Sequence, residues 1–402
     1  MSLLKGLRVV EMGLWIAGPA AGGMLADWGA DVVKIEMLSG DPMRNLYGAM
    51  SGSKESRCPP FDNYNRGKRS IAIDVNVPEG AALARRLALT ADVFVTNMRP
   101  QFLDRVGLGH ETLLAADPKL VYGMLTGYGL EGPDRNLPGY DLAAFSARAG
   151  VVHRAAPPGT APPNMPGALG DNVTAITLVA GILGALWYRE RTGRGQLVST
   201  SLLRTGIFCI SMDISTRLGL GRIADVPSRM KPPNPLMNSY RAGDDKWLWL
   251  ICAESDRHWK PLTDALDAGH LREDARFGSP RDRRRNATAM VEILDDIFAR
   301  RSRDEWANIF GRHEVWWAPV NSPDDLITDA QVQAVKAFVP VPSLAGDGTT
   351  TLSVATPVDF GAEPVEPATA PPQLGSDTLD ILTELGIDSQ EVARLKAAKV
   401  VC

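Results

Sequence analysis

Cysteine is sparse in this chain of 402 residues. Cys58, Cys209, Cys252 and Cys402 lie far apart and fit neither a disulfide framework nor a metal-ligand spacing. Isolated thiols suit a reducing compartment, so a cytoplasmic location is expected. Histidine is nearly as sparse. None of His110, His153, His258, His270 and His313 stands at a zinc-ligand spacing from another, and no metal is expected. An excess of one charge is also missing. Lys and Arg number 43 against 47 Asp and Glu, a net −4, which leaves no global basic field for nucleic acid. The one dense basic cluster, RDRRR at 281–285, reads as a solvated helix start. Long hydrophobic runs are lacking too. The longest, VTAITLVAGILGALWY at 173–188, is shorter than the roughly 20 residues of a membrane helix. It reads as a buried core helix, with no membrane partner, and the opening MSLLKGLRVVE is too short an apolar run for a signal peptide.

What is present is a repeated strand–helix–strand rhythm. LRVVEM (7–12) and DVVKIE (31–36) read as strands around a small-residue helix, GPAAGGMLADWGA. RSIAIDV (69–75), a helix over 78–91 with Pro78 in its first turn, DVFVTNM (92–98) and LVYGMLTGY (120–128) continue the rhythm. The first 200 residues therefore predict a Rossmann-like, doubly wound α/β domain. GQLVSTSLLRTGIFCISMDISTRL (195–218) begins as a strand and continues as one long helix. The Pro-rich stretch 221–237 reads as a linker. NSYRAGDDKWLWLICA predicts a hairpin, followed by two amphipathic helices, which makes 238–324 a smaller α+β domain.

Few motifs carry chemistry by themselves. GLWIAGPAAGG does not match G-x-G-x-x-G, so a nicotinamide cofactor is not expected, although a Gly-rich turn can bring backbone N–H groups to a ligand. In NYNRGKRS, Arg69 stands where a P-loop needs Ser or Thr. Lys68 and Arg69 are either exposed cations or phosphate ligands. No G-x-S-x-G of an α/β-hydrolase occurs. In GALGDNVTAI, Asp171 follows Gly167 and Gly170 and precedes the apolar run. It reads either as an N-cap or as a carboxylate nucleophile with open access.

Six segments in order, LKGLRVVEMG…AGP, LADWGADVVKIE, YNRGKRSIAID, ADVFVTNMRP, GALGDNVTAITLVAGILGAL and RTGRGQLV, together resemble the class III coenzyme A transferases. The α-methylacyl-CoA racemases are related to that family. The resemblance covers the first 200 residues almost without a break and continues more loosely through PVNSPDDLITDAQV (319–332) and the C-terminal helices. It implies an acyl-CoA:carboxylate CoA-transferase with coenzyme A as substrate and product, an acyl-CoA and a small carboxylic acid as partners, and an interlocked homodimer. It implies a large CoA-binding domain from 1–220 plus 325–402.

The resemblance also implies roles for particular residues. Asp171 matches the nucleophile. Trp15, Ile16 and Ala17, then Asn65, Lys68 and its neighbour Arg69, then Asn97, Met98 and Arg105, match CoA-contacting segments. Trp15, Tyr140 and Gly170 would shape the substrate pocket. Related racemases have His at the position of Tyr140, and Tyr, with a pKa of about 10, suits a proton-abstracting base poorly. That favours transfer of CoA, with a racemase-like CoA-thioester isomerase as the alternative. Two departures stand out: Met37 replaces a basic residue common after KIE, and the four-glycine loop of formyl-CoA transferases has no counterpart. On this reading the helix dipole keeps Asp171 anionic, and backbone N–H groups near Gly170 and Asp171 stabilise the tetrahedral centres.

Overall fold

The computed structural model describes residues 2–46, 58–342, 349–361 and 369–402. These residues form two compact units. One comprises 1–153, 164–221 and 336–402, and the other 154–163 and 222–335.

The first unit is built on six parallel strands in the order β3-β2-β1-β4-β5-β6. They are β1 Arg8–Met12, β2 Asp31–Glu36, β3 Arg69–Ala72, β4 Val93–Thr96, β5 Val121–Thr126 and β6 Leu197–Ser201. Helices cover both faces, so the inner strands read as nearly continuous apolar runs, such as Val93–Val95. Between strands run α1 Ala17–Asp27, α2 Pro59–Asn65, α3 Pro78–Ala88, α4 Pro100–Arg105, α5 His110–Ala116 and α6 Leu169–Thr192. Pro at the first position of α2, α3 and α4 fits the missing N–H of a helix start. A π-helix, Asp141–Arg148, precedes α6.

α6 has 24 residues and is long and apolar enough to cross a bilayer, longer than the sequence pattern implied. Here Leu178, Val179 and Ile182 are buried with β5 in one core, while Ile176, Trp187 and Tyr188 on the other side are exposed. The long helix expected after β6 is two helices, α7 Leu202–Cys209 and α8 Ser211–Leu220, which meet at Ile210. Ser201 caps α7 by accepting from the Arg204 N–H.

The second unit has a three-stranded antiparallel sheet of β7 Ser239–Arg241, β8 Trp247–Leu250 and β9 Trp317–Pro319. Its helices are α9 Ser255–Ala265, α10 Pro280–Arg285, α11 Ala287–Phe298, α12 Arg303–His313, α13 Pro323–Thr328 and α14 Ala330–Ala334. The WLWL of β8 alternates, with both leucines buried and both tryptophans exposed.

Two expectations are corrected here. The stretch taken as a linker folds with this unit: Leu236 is fully buried, and Asn234 donates to the Cys252 carbonyl at 3.1 Å. The basic cluster is not wholly solvated either. Arg283 is 1% exposed because it donates to the Phe277 carbonyl, Ser255 and Asp256. The first unit resumes with the hairpin β10 Phe338–Pro342 and β11 Thr350–Val354, then α15 Thr378–Glu384 and α16 Ser389–Ala397.

Candidate active site

In a doubly wound sheet, the chain reverses its winding direction where two neighbouring strands have connections that leave in opposite directions. Ligands bind in the crevice that opens there, at the carboxyl ends of the strands. In this order the reversal lies between β1 and β4. A cleft of about 480 Å³ opens there. It is lined by the turn after β1 (Leu14 to Ala17), the segment after β4 (Asn97 to Pro100, with Phe102), Thr126 and Gly127 after β5, residues 137–141, Arg135 and Asp171.

Asp171 is not the helix cap. α6 begins at Leu169, and the N-cap is Ala168, held at φ 65 with no side-chain cap bond. Asp171 is the third helical residue, in the first turn and half-buried at the cleft. Gly170 is not there for open access. A Cβ on it would lie 2.3 Å from Phe145 Cγ, so glycine is required for α6 to pack on the π-helix. The Gly170 N–H is also spoken for, donating to Asp141 Oδ2 at 3.0 Å. It is therefore not free to stabilise an oxyanion, as the sequence reading supposed.

Asp141 is the partner that sequence reasoning missed. It opens the π-helix, accepts from Ser146 Oγ at 3.4 Å and faces Asp171. Burial first, and the like charge of Asp141 second, push the Asp171 carboxyl up to about 7. The helix dipole thus does not keep Asp171 fully anionic. Near neutrality it sits between its two protonation states, which also makes the ionised form more basic than an ordinary aspartate.

The remaining candidates divide. Trp15, Ile16, Ala17, Asn97, Met98 and Tyr140 line the cleft. Trp15 is in the left-handed region at φ 63, and Tyr140 is exposed. Asn97 clamps the turn after β1. Its Oδ1 accepts the Leu14 N–H at 2.9 Å, and its Nδ2 donates to the Leu14 carbonyl at 2.8 Å. Lys68 and Asn65 do not face the cleft. Lys68 Nζ is buried and donates to Glu11 Oε2 at 2.5 Å, the Pro19 carbonyl at 2.8 Å and Asn65 Oδ1 at 2.9 Å. All three ammonium protons are engaged, so Lys68 has none left for a phosphate.

Arg69 is likewise committed, to Asp31 at 2.7 Å and Glu384 at 2.5 Å. Arg105 is exposed, with its guanidinium over the Phe102 ring at 5.2 Å. Met37 packs against the core rather than presenting anything to a ligand. The cations that do reach the cleft are Arg99 and Arg135, neither of which forms an ion pair with another described residue. Arg99 lies within the segment ADVFVTNMRP, where nothing singles it out, and no motif marks Arg135; only the folding brings the two to one site.

A family model described as CoA-transferase family III matches residues 4–378. The chain is 31% identical over 401 residues to the (R)-2-hydroxy-4-methylpentanoate CoA-transferase of Clostridioides difficile, covering 99% of each protein. It is also 31% identical to the cinnamoyl-CoA:phenyllactate CoA-transferase of Clostridium sporogenes, over 99% of this chain and 97% of that one. The crystal structure of a CAIB/BAIF family protein from Brucella suis superposes with a TM-score of 0.85 at 29% identity, over 95% of this chain and 99% of the other.

Proposed function

The chain belongs to CoA-transferase family III, and from that premise we propose that it moves CoA between an acyl-CoA and a free carboxylic acid through an aspartyl-CoA thioester on Asp171. The observation that carries this is the Asp171 carboxyl, set in the first turn of α6 at the wall of the switch-point cleft.

The chemistry follows from the groups present. An ionised Asp171 oxygen attacks the thioester carbonyl carbon of the donor. The C–S bond breaks, leaving a mixed anhydride and CoA thiolate. The thiolate attacks the aspartyl carbonyl carbon and expels the donor acid as its carboxylate, giving the aspartyl-CoA thioester. The acceptor carboxylate then attacks that carbon, forming a second anhydride and freeing the thiolate again. Attack of the thiolate on the acceptor's carbonyl yields the new acyl-CoA and returns Asp171. One thioester is consumed and one is made, so the cycle needs no external energy source. With the Gly170 N–H held by Asp141, the first-turn N–H of Asp171, which has no intrahelical acceptor, is the backbone donor left near the developing oxyanion.

Arg99 and Arg135 supply positive charge for phosphate or carboxylate groups of the ligands. Leu14, Trp15, Ile16, Phe102 and Leu137 give the cleft a largely apolar lining. That lining favours an acid with an apolar side chain, larger than formate. It agrees in character with the relatives named for 2-hydroxy-4-methylpentanoate and phenyllactate.

The test is mass spectrometry of the protein incubated with a panel of acyl-CoAs and then treated with hydroxylamine or borohydride. Modification of the peptide carrying Asp171 is expected. A carboxyl titrating near 7 also suits proton transfer, which keeps an α-proton isomerase as the second reading. Deuterium entering the α-carbon of a branched acyl-CoA, with no modified Asp171, decides for the isomerase.

A further inference from the structure

The turn from Gly13 to Trp15, which forms one wall of the cleft, rests on an unusual foundation. Glu11 and Lys34 are register partners on adjacent central strands, both 0% exposed. Lys34 Nζ reaches Glu11 Oε1 at 2.9 Å, the Gly13 carbonyl at 3.0 Å and Asp41 Oδ2 at 3.1 Å. Asp41 is also fully buried. Its Oδ1 accepts the Trp15 N–H at 3.1 Å and the Met43 N–H at 3.0 Å. Lys68 closes the other side of Glu11. Glu36, beyond Asp41, accepts the Asp41 N–H at 3.0 Å and pairs with Arg44 at 2.6 Å. Two lysines and three carboxylates are therefore buried together, with the half-buried Arg44 as the third cation at the edge of the cluster.

The glycines of the first turn and helix make room for it. A Cβ on Gly22 would stand 2.2 Å from Glu11 Oε2, and one on Gly18 would stand 2.8 Å from Asn97 Oδ1. Those glycines look inward to the charged cluster and to Asn97, not outward to a ligand.

Replacing such a cluster with apolar side chains commonly costs no stability. What a densely connected buried polar network adds is a single conformation. Two of its bonds hold one turn, Lys34 at the Gly13 carbonyl and Asp41 at the Trp15 N–H, and Asn97 fixes both polar groups of Leu14 between them. The same turn holds Trp15 at φ 63, a conformation a bulky side chain adopts only when its surroundings impose it.

We propose that Asp41, backed by Lys34 and Glu11, is a positioning residue that presets the Gly13–Trp15 turn as a rigid wall for the acyl-CoA before any ligand arrives. This rests on the reading of the cleft as the acyl-CoA site. A preset wall lowers the ordering cost of binding, so its loss weakens binding more than it slows a saturated enzyme.

Hydrogen exchange of the unmodified protein, free and with coenzyme A, tests it without a mutation. Slow exchange at the Trp15 amide in the free protein, with added protection on coenzyme A appearing at 97–102, is the expected result. Fast exchange at Trp15 that coenzyme A then slows overturns the preset turn while leaving the site reading intact. If coenzyme A protects nothing in the cleft, the site reading fails, and the free-protein rate at Trp15 still decides whether the turn is preset.

Asp41→Asn provides the kinetic arm. KM for the acyl-CoA should rise about tenfold with kcat held within about twofold. Val291→Ala, in the core of the second unit, gives a control of lowered Tm with neither constant changed. An Asp41→Asn enzyme with lowered Tm and wild-type KM reduces the cluster to a structural role.

Discussion

Asp171 and Asp141 work against each other electrostatically, and that has measurable consequences. If Asp171 is the nucleophile, its protonated form is inactive, so kcat/KM should fall as pH drops through about 7. Asp141→Asn removes the second of the two causes raising that carboxyl and leaves burial in place. The acidic limb of the pH–rate profile should therefore move to lower pH, and a limb that stays fixed would show that Asp141 does not couple to it. Asp171→Ala should abolish transfer while circular dichroism and Tm stay near wild type, and residual turnover above background would remove Asp171 as nucleophile.

The same carboxyl carries a stability prediction. An acid whose folded pKa lies above its unfolded value binds more protons in the folded state. Folding is therefore unpenalised below about pH 4, loses stability as pH rises toward about 7, and stays penalised above that. Asp171→Asn should accordingly raise Tm at pH 8 by a few degrees and leave it nearly unchanged at pH 4. Thermal melts at the two pH values check the sign.

At the level of elements, α6 is placed by a close contact. Gly170 meets Phe145 of the π-helix, and Thr174 Oγ1 donates to the Gly170 carbonyl at 2.6 Å. Gly170→Ala should cost about 1–3 kcal/mol by forcing the two helices apart. It should also lower kcat, because Asp171 moves with the first turn. Denaturant midpoints measure the first effect. The double variant Gly170→Ala with Phe145→Leu should recover part of it, since the smaller side chain yields the space.

The α7–α8 region raises the same question at the next scale. α8 has no buried residue, yet Met212 is 81% exposed, Leu218 80% and Leu220 72%, beside Phe208 at 76%. Apolar side chains left this bare call for a partner surface.

For the whole molecule we propose that a second copy covers this face, as the family resemblance implies for an interlocked homodimer. Light scattering should give twice the 43.3 kDa chain mass. Replacing Phe208 and Met212 together with Asp should shift the protein to monomer, and a wild-type monomer would refute the pairing. The exposed flank of α6, including Trp187 and Tyr188, belongs to the same question, because by length and composition alone that helix also suits a bilayer.

The sequence by itself determined the parallel sheet, since short apolar strands alternating with Pro-started helices leave few other arrangements, and the order of six motifs carried the family. It also determined Asp171 as the residue to watch, because a carboxylate next to an apolar run is a local signal. Tertiary structure alone decided what surrounds it. Lys68 looked like either an exposed cation or a phosphate ligand, yet it is buried and paired with Glu11, 57 positions away. The glycines of α1 looked like a ligand cradle, but Gly22 and Gly18 accommodate the Glu11 and Asn97 side chains, and Gly23 the Tyr64 backbone. Asp141 gave no signal at all, because it meets the first turn of α6 from 29 positions earlier in the chain. The physical reason is common to all three. Periodicity and propensity report on neighbours along the chain, whereas burial of a charge, and hence its pKa and its availability to a substrate, depends on groups that only folding brings within a few ångströms.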